Sequence, residues 1–90
     1  MKLYEVNYVS CYDDFGSGGV STLGKWIYQK KENAIAKIAE IKPEIYEKFK
    51  DKLDRLELLD KPEKYAIAED KDYGGYIGRS VFIAEIETED

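Results

Sequence analysis

Near the start of the chain, apolar and polar positions alternate with a period of two. In residues 2–12, Tyr4, Val6 and Tyr8 share one parity, and polar residues interrupt the other. This alternation is typical of a strand that is buried on one face. A glycine-rich stretch, FGSGGVSTLG, separates this strand from KWIYQK, which predicts a second short strand. Together the two segments predict a hairpin with a long loop.

From Lys31 onward the spacing of apolar residues lengthens to three or four. The residues at this spacing are Ile35, Ile38, Ile41, Ile45, Phe49, Leu53 and Leu56. The pattern predicts an amphipathic helix whose opposite face carries Lys and Glu. Pro43 would remove an interior helical hydrogen bond, at a cost of about 3 kcal/mol, unless it opens a new helix. We therefore expect two helices, over 31–41 and 43–59, with Pro62 closing the helical region.

Beyond Pro62 the strings KYAIAED and RSVFIAEIET are again rich in strand-forming residues, and DKDYGGYIG separates them. They predict a second hairpin, so the element order is β-β-α-α-β-β. An antiparallel sheet of about four strands with helices on one face buries both apolar patterns in two layers. The expected fold is α+β, and 90 residues form one domain, 1–90.

The net charge of −5 comes entirely from the C-terminal quarter. Residues 1–64 balance to zero, whereas residues 65–90 hold two basic and seven acidic side chains. An acidic surface repels phosphate backbones and anionic lipids, so neither nucleic acid nor membrane is expected to bind directly. A basic protein partner is expected instead.

Several classes of site and location are disfavoured by what the sequence lacks. It has no histidine, the commonest general base and metal ligand, and Cys11 has no second cysteine for a disulfide. No apolar run reaches the roughly 20 residues that span a bilayer, and the N-terminal segment lacks the order of a secretion signal. We expect a cytoplasmic protein with no cofactor, no metal and no enzymatic activity.

Two strings approach known binding motifs without completing them. Gly19 to Trp26 fits the first seven positions of a phosphate-binding loop, but Trp26 stands where Ser or Thr must bind magnesium, and a strand follows rather than a helix. Asp70 and Asp72 begin like a calcium loop, but its twelfth position is Val81 rather than Glu. Neither string predicts a ligand site.

The two glycine-rich stretches are the better candidate for a binding surface. All seven glycines lie in 16–24 or 74–78, beside Tyr, Phe and Asp, which is the composition of antibody-like binding loops. The plainer interpretation is that Gly and Asp form turns and the aromatic rings fold back on the sheet. Glu85 and Glu87 share parity on the last strand and project about 6.8 Å apart. The candidate partner-binding residues are Tyr12, Asp13, Asp14, Phe15, Asp70, Asp72, Tyr73, Tyr76, Glu85 and Glu87.

In length, acidity, absence of histidine and richness in Lys, Glu, Ile and Tyr, the chain resembles small phage and mobile-element proteins of the anti-CRISPR and anti-defence type. The resemblance is one of kind over all 90 residues and assigns no residue a role. It implies a non-enzymatic inhibitor or regulator of a larger, basic, nucleic-acid-handling protein. Two alternatives stay open: a protein that binds a nucleotide-like small ligand at a dimer seam, and a structural homo-oligomer, such as a homodimer, joined by an edge strand.

Overall fold

One helix lies across one face of a five-stranded antiparallel sheet in this computed structural model. The structure describes residues 1–14, 17–69 and 75–88, with the backbone alone for 12–14, 17–18, 55, 69 and 75–77. The elements are β1 (Lys2–Asp14), β2 (Ser17–Tyr28), α1 (Lys31–Phe49), a 3₁₀ helix (Lys50–Arg55), β3 (Leu56–Lys61), β4 (Lys64–Glu69) and β5 (Gly75–Glu87). The strand order is β2-β1-β5-β4-β3, so β1 and β5 are central and β2 and β3 form the edges.

The expected α+β class with one antiparallel sheet is confirmed, but the number of strands and helices is wrong. Of the second helix expected over 43–59, residues 43–49 belong to α1, and the remainder forms the 3₁₀ helix and the start of β3, which pairs with β4 through Leu58 and Ile67. Leucines three residues apart fit a helix as well as a short strand, and pairing with β4 decides for the strand. Pro62 lies in the turn between β3 and β4 and does not end a helix.

The helix continues through Pro43, where the sequence predicts a break. Its buried stripe consists of Ala34, Ile38, Ile41, Ile45 and Phe49, so the apolar spacing runs past the proline without interruption. Pro43 is exposed, and so is Ala39, whose carbonyl loses its intrahelical partner and faces water. Burial of each isoleucine contributes about 1.5–3 kcal/mol, which together outweighs the roughly 3 kcal/mol cost of the proline.

The glycine-rich stretches are mostly strand, which corrects the prediction of a long loop. β1 extends to Asp14 and β2 already begins at Ser17, and the two strands pair along their length. Likewise Gly75 and Gly78 belong to β5. Pairing with the central strands overrides the low strand preference of glycine.

The core lies between α1 and the sheet face that carries the even-numbered residues of β1. Val6 is fully buried there, with Tyr8 beside it, as the period-two pattern predicts. Ile67 of β4 and Val81 of β5 complete the same layer opposite Ile38 of the helix. Among the described residues, neither helix has the length and apolar character that crossing a bilayer requires.

Candidate functional site

A groove of about 430 Å³ runs between α1 and the edge strand β2. One wall is helical and offers charged side chains, and the other belongs to the sheet and offers aromatic rings. The lining residues are Tyr8, Leu23, Trp26, Lys37, Glu40, Ile41 and Glu44. This volume lies within the range of about 300–1,000 Å³ that is typical of small-ligand sites.

Two features of β2 shape the sheet wall of the groove. The register with β1 steps from Gly24 opposite Tyr8 to Thr22 opposite Val9, so Leu23 is the extra residue of a bulge. The bulge brings Leu23 to the groove. The benzo ring of Trp26 then covers Gly24, occupying the space that a Cβ would fill. Glycine at this position is therefore a steric requirement of the aromatic wall.

A cation already lies inside the groove. Lys37 Nζ sits 4.3 Å from the centre of the Trp26 ring, and 3.4 Å from a carboxylate oxygen of Glu40. The lysine side chain is only 18% exposed, so its aliphatic stem packs along the groove while the ammonium meets the ring face. Aromatic ring faces and carboxylates both attract cations.

Tyr8, which lines the groove, is hydrogen-bonded to Arg79. Arg79 Nη1 donates to Tyr8 Oη at 2.8 Å, and the Glu44 carboxylate lies near the same hydroxyl. Burial raises the pKa of Tyr8, and Glu44 acts in the same direction, whereas the hydrogen bond from Arg79 opposes it. The hydroxyl therefore stays protonated at neutral pH and serves as a polar contact, not as a base.

Several of the sequence-predicted contacts meet at one end of the sheet. The backbone of Asp14, the last residue of β1, pairs with Ser17 on one side and Gly75 on the other, and Asp13 pairs with Tyr76. The strand ends that carry both glycine-rich stretches therefore adjoin each other. Tyr12 lies in the same part of β1, opposite Ile77. Phe15, Asp70, Asp72 and Tyr73 lie outside the described residues.

The two predicted glutamates of β5 lie together but not at that end of the sheet. Lys2 Nζ is 3.4 Å from a carboxylate oxygen of Glu85 and 3.8 Å from one of Glu87, so one lysine partly neutralises both. The hydrogen bond with Glu85, and after it the charge of Glu87, raises the pKa of Lys2. Because β1 pairs antiparallel with β5, these glutamates lie beside the first residues of β1, whereas the glycine-rich strand ends lie beside its last residues.

The groove residues were not among those that sequence reasoning selected. Lys37, Glu40 and Glu44 fall at helix positions i, i+3 and i+7 and so share one face, which is a detectable signal. The sequence analysis places them on the polar face of the helix, because the sequence does not reveal that β2 lies beside them. Within the described part of the chain no three His, Cys, Asp or Glu side chains group so as to hold a metal ion. Cys11 is free and half-buried.

The geometry thus combines a groove in which Lys37 contacts an aromatic ring and a carboxylate with a sheet end where two glycine-rich strand ends adjoin. It contains no activated nucleophile among the groove residues. Comparison of the chain with protein-family models, with curated proteins and with solved structures finds no match.

Proposed function

We propose that the protein is a non-enzymatic binding module that holds a basic protein partner and accepts one of its Arg or Lys side chains in the groove between α1 and β2. By covering a basic surface of a larger nucleic-acid-handling protein, it would inhibit or regulate that protein. The observation that carries the proposal is the Lys37 ammonium, held between the Trp26 ring and Glu40.

The groove contains a second carboxylate besides the one that pairs with Lys37. Glu44 lies one helical turn beyond Glu40 and lines the same groove, so a second carboxylate is within reach of an entering guanidinium. A cation on a ring face gains about 0.5–2 kcal/mol, depending on how far it is desolvated. Arginine suits the site best, because its planar group stacks on an indole and bonds two carboxylate oxygens at once.

The sheet end with the glycine-rich strand ends is proposed as the second contact. Along β1, Tyr12 follows Tyr8 by four residues, or about 13 Å of strand. A single partner surface is large enough to cover both the groove and this end, since standard interfaces bury about 800 Å² per protein. Tyr12, Asp13, Asp14, Phe15, Asp70, Asp72, Tyr73 and Tyr76 are proposed to contribute there, and Glu85 and Glu87 to add long-range attraction.

The first experiment measures binding of an acetylated tetra-arginine peptide by the fluorescence of Trp26, the single tryptophan of the chain. Glu40→Gln together with Glu44→Gln should weaken binding about fivefold, the equivalent of roughly 1 kcal/mol for two partly exposed charges. The matched control is Glu32→Gln together with Glu47→Gln, which removes the same charge from the same helix outside the groove. Equal weakening by both pairs would show general charge attraction and contradict a groove site.

A nucleotide-like small ligand is the second candidate function, favoured by the same groove because an indole stacks on a base and Lys37 can meet a phosphate. Lys37→Met keeps the aliphatic stem and removes the charge, and the two candidate functions predict opposite effects of this substitution on ligand binding. Removing the competing ammonium should strengthen binding of the arginine peptide about threefold. It should weaken binding of adenosine triphosphate if that class of ligand is the natural one.

The contribution of the glycine-rich stretches is tested on the complex with a purified basic partner. Alanine at both Tyr73 and Tyr76 should raise the dissociation constant at least tenfold, because buried aromatic anchors set complex lifetime. An affinity within twofold of the original protein would remove the glycine-rich stretches from the interface while leaving the groove proposal standing.

A further inference from the structure

The sheet has a second face, which points away from α1 and which no described element covers. Side chains alternate along each strand, so the neighbours of the core residues Val6, Ile67 and Val81 point to this side. The bare sheet face, as we call it, is formed by Leu3, Val9, Ile27, Leu59, Phe82 and Ile86. Ile27 is 56% exposed and Leu59 36% exposed, so large apolar side chains meet water there.

The size of this face matches that of a protein interface. The five strands are spaced by about 4.8 Å. Over the residues with described side chains, three strands are about 33 Å long and two about 20 Å, so the sheet covers roughly 700 Å². A stable interface buries about 800 Å² on each partner.

The charge of the face favours a second copy of the chain over a charged partner. Its described charged side chains are Lys25, Lys61 and Lys64 against Glu5 and Glu57, a net charge of +1, whereas the whole chain carries −5. The Lys25 ammonium and the Glu5 carboxylate lie 3.7 Å apart and compensate each other. Two copies that meet through this face bring nearly neutral surfaces together and keep their acidic surfaces apart.

We propose that the bare sheet face is a homodimer interface. Two copies stack sheet on sheet about 10 Å apart, in a symmetric helix-sheet-sheet-helix arrangement. Phe82 would occupy the dry centre beside Val9, which its neighbours already leave only 9% exposed, and the lysines would form the polar rim. The groove with Trp26 opens on the opposite side of the sheet, so each copy would keep its groove accessible, and this proposal does not depend on the one above.

The test is the molar mass from sedimentation equilibrium between about 1 and 200 μM. We expect a reversible dimer of twice the 10.4 kDa chain mass. Leu59→Lys and, separately, Ile27→Lys should each raise the dimer dissociation constant at least 30-fold, because a charge in an apolar interface is left unpaired. Both residues are exposed in the single chain, so the variants should retain the circular dichroism of the original protein.

Leu58→Lys is the matched control, since Leu58 is the neighbouring leucine on the same strand, is 49% exposed and points to the other side. It should leave the dimer intact. A monomer at every concentration would overturn the proposal, and so would a dimer that tolerates Leu59→Lys. Equal loss with Leu58→Lys and Leu59→Lys would indicate pairing of β3 edges and would also overturn it.

Discussion

The ring of Trp26 rests over Gly24, two residues earlier on the same strand, in the space where any other residue would carry its Cβ. Residues i and i+2 of a strand share a face, so the absence of a side chain at Gly24 allows the indole ring to pack along β2. In that position the ring presents a face to the Lys37 ammonium, 4.3 Å from its centre. The aromatic wall of the groove thus depends on the absence of one methyl group.

Replacement of that glycine should displace the indole without unfolding the protein. In Gly24→Ala the new methyl group meets a side chain that can move, so the free energy of unfolding should fall by only about 1 kcal/mol. The fluorescence maximum of Trp26 should shift as the ring leaves Lys37, and binding of the arginine peptide should weaken. Ser21→Ala, an exposed change on the same strand, should alter neither. An unchanged emission spectrum for Gly24→Ala would contradict the ring position.

Gly78 should be far less tolerant, because its neighbours are backbone. A Cβ there would lie 2.7 Å from the carbonyl oxygen of Ile67 and 3.0 Å from Cα of Ala68. Strands β4 and β5 would have to separate, so Gly78→Ala should lower the free energy of unfolding by about 3 kcal/mol, measured by urea denaturation. Ser80→Ala, two residues on, is the control and should change it by less than about 0.5 kcal/mol. Equal stability of the two variants would contradict the close approach.

Pro43→Ala should stabilise the protein. The alanine restores a backbone amide inside a continuous helix, which stabilises the folded state. The unfolded chain also becomes more flexible, which offsets part of this gain, so the free energy of unfolding in urea should rise by about 1–2 kcal/mol. If Pro43 instead opened a separate helix, where proline is favourable, the same change would be neutral or destabilising. Pro62→Ala, in the turn between β3 and β4, should be slightly destabilising and serves as the comparison.

Stability should fall above about pH 10 because of two buried tyrosines. Burial raises the pKa of both Tyr8 and Tyr65 in the folded protein. Above the unfolded pKa of 10.0 the unfolded chain binds fewer protons than the folded one, so the stabilisation present at lower pH is lost as the pH rises through the folded values. The loss should approach about 1.4 kcal/mol per pH unit for each tyrosine.

Tyr8→Phe and Tyr65→Phe should each make this alkaline decline shallower, and the two together more so. Denaturation by urea at pH 8, 10 and 11 measures it. Tyr8→Phe should also cost about 1–2 kcal/mol at pH 8, since Arg79 loses its hydrogen-bond acceptor. A decline of undiminished slope in the double variant would show that other groups control alkaline stability.

Local patterns were sufficient for much of the architecture. The alternation around Val6 predicts which face of β1 is buried, and the spacing of Ile38, Ile41 and Ile45 predicts the buried face of α1. Both follow from the geometry of a single strand or helix, in which side chains repeat with a period of 2.0 or 3.6 residues. The α+β class follows in turn, because each apolar face needs a partner layer.

Pro43, β3 and the glycine-rich strands were mispredicted for a common reason. A local preference of 1 to 3 kcal/mol, for a helix break or for a loop, competes with burial and pairing that involve residues elsewhere in the chain. Pro43 remains helical because Ile41 and Ile45 on either side of it reach the sheet. Leu58 becomes strand because Ile67 lies beside it.

The elements and their buried faces are a property of the linear pattern, since neighbours a few residues apart set them. The functional geometry is not, because it joins parts of the chain that no local rule connects. Lys2 meets Glu87 only because β1 and β5 are central partners, and Lys37 meets Trp26 only because α1 packs beside β2. These contacts depend on hydrogen bonding between strands that are distant in the chain, and on burial of the apolar stripe of α1 against one face of the sheet. The same two factors determine where the groove and the bare sheet face lie.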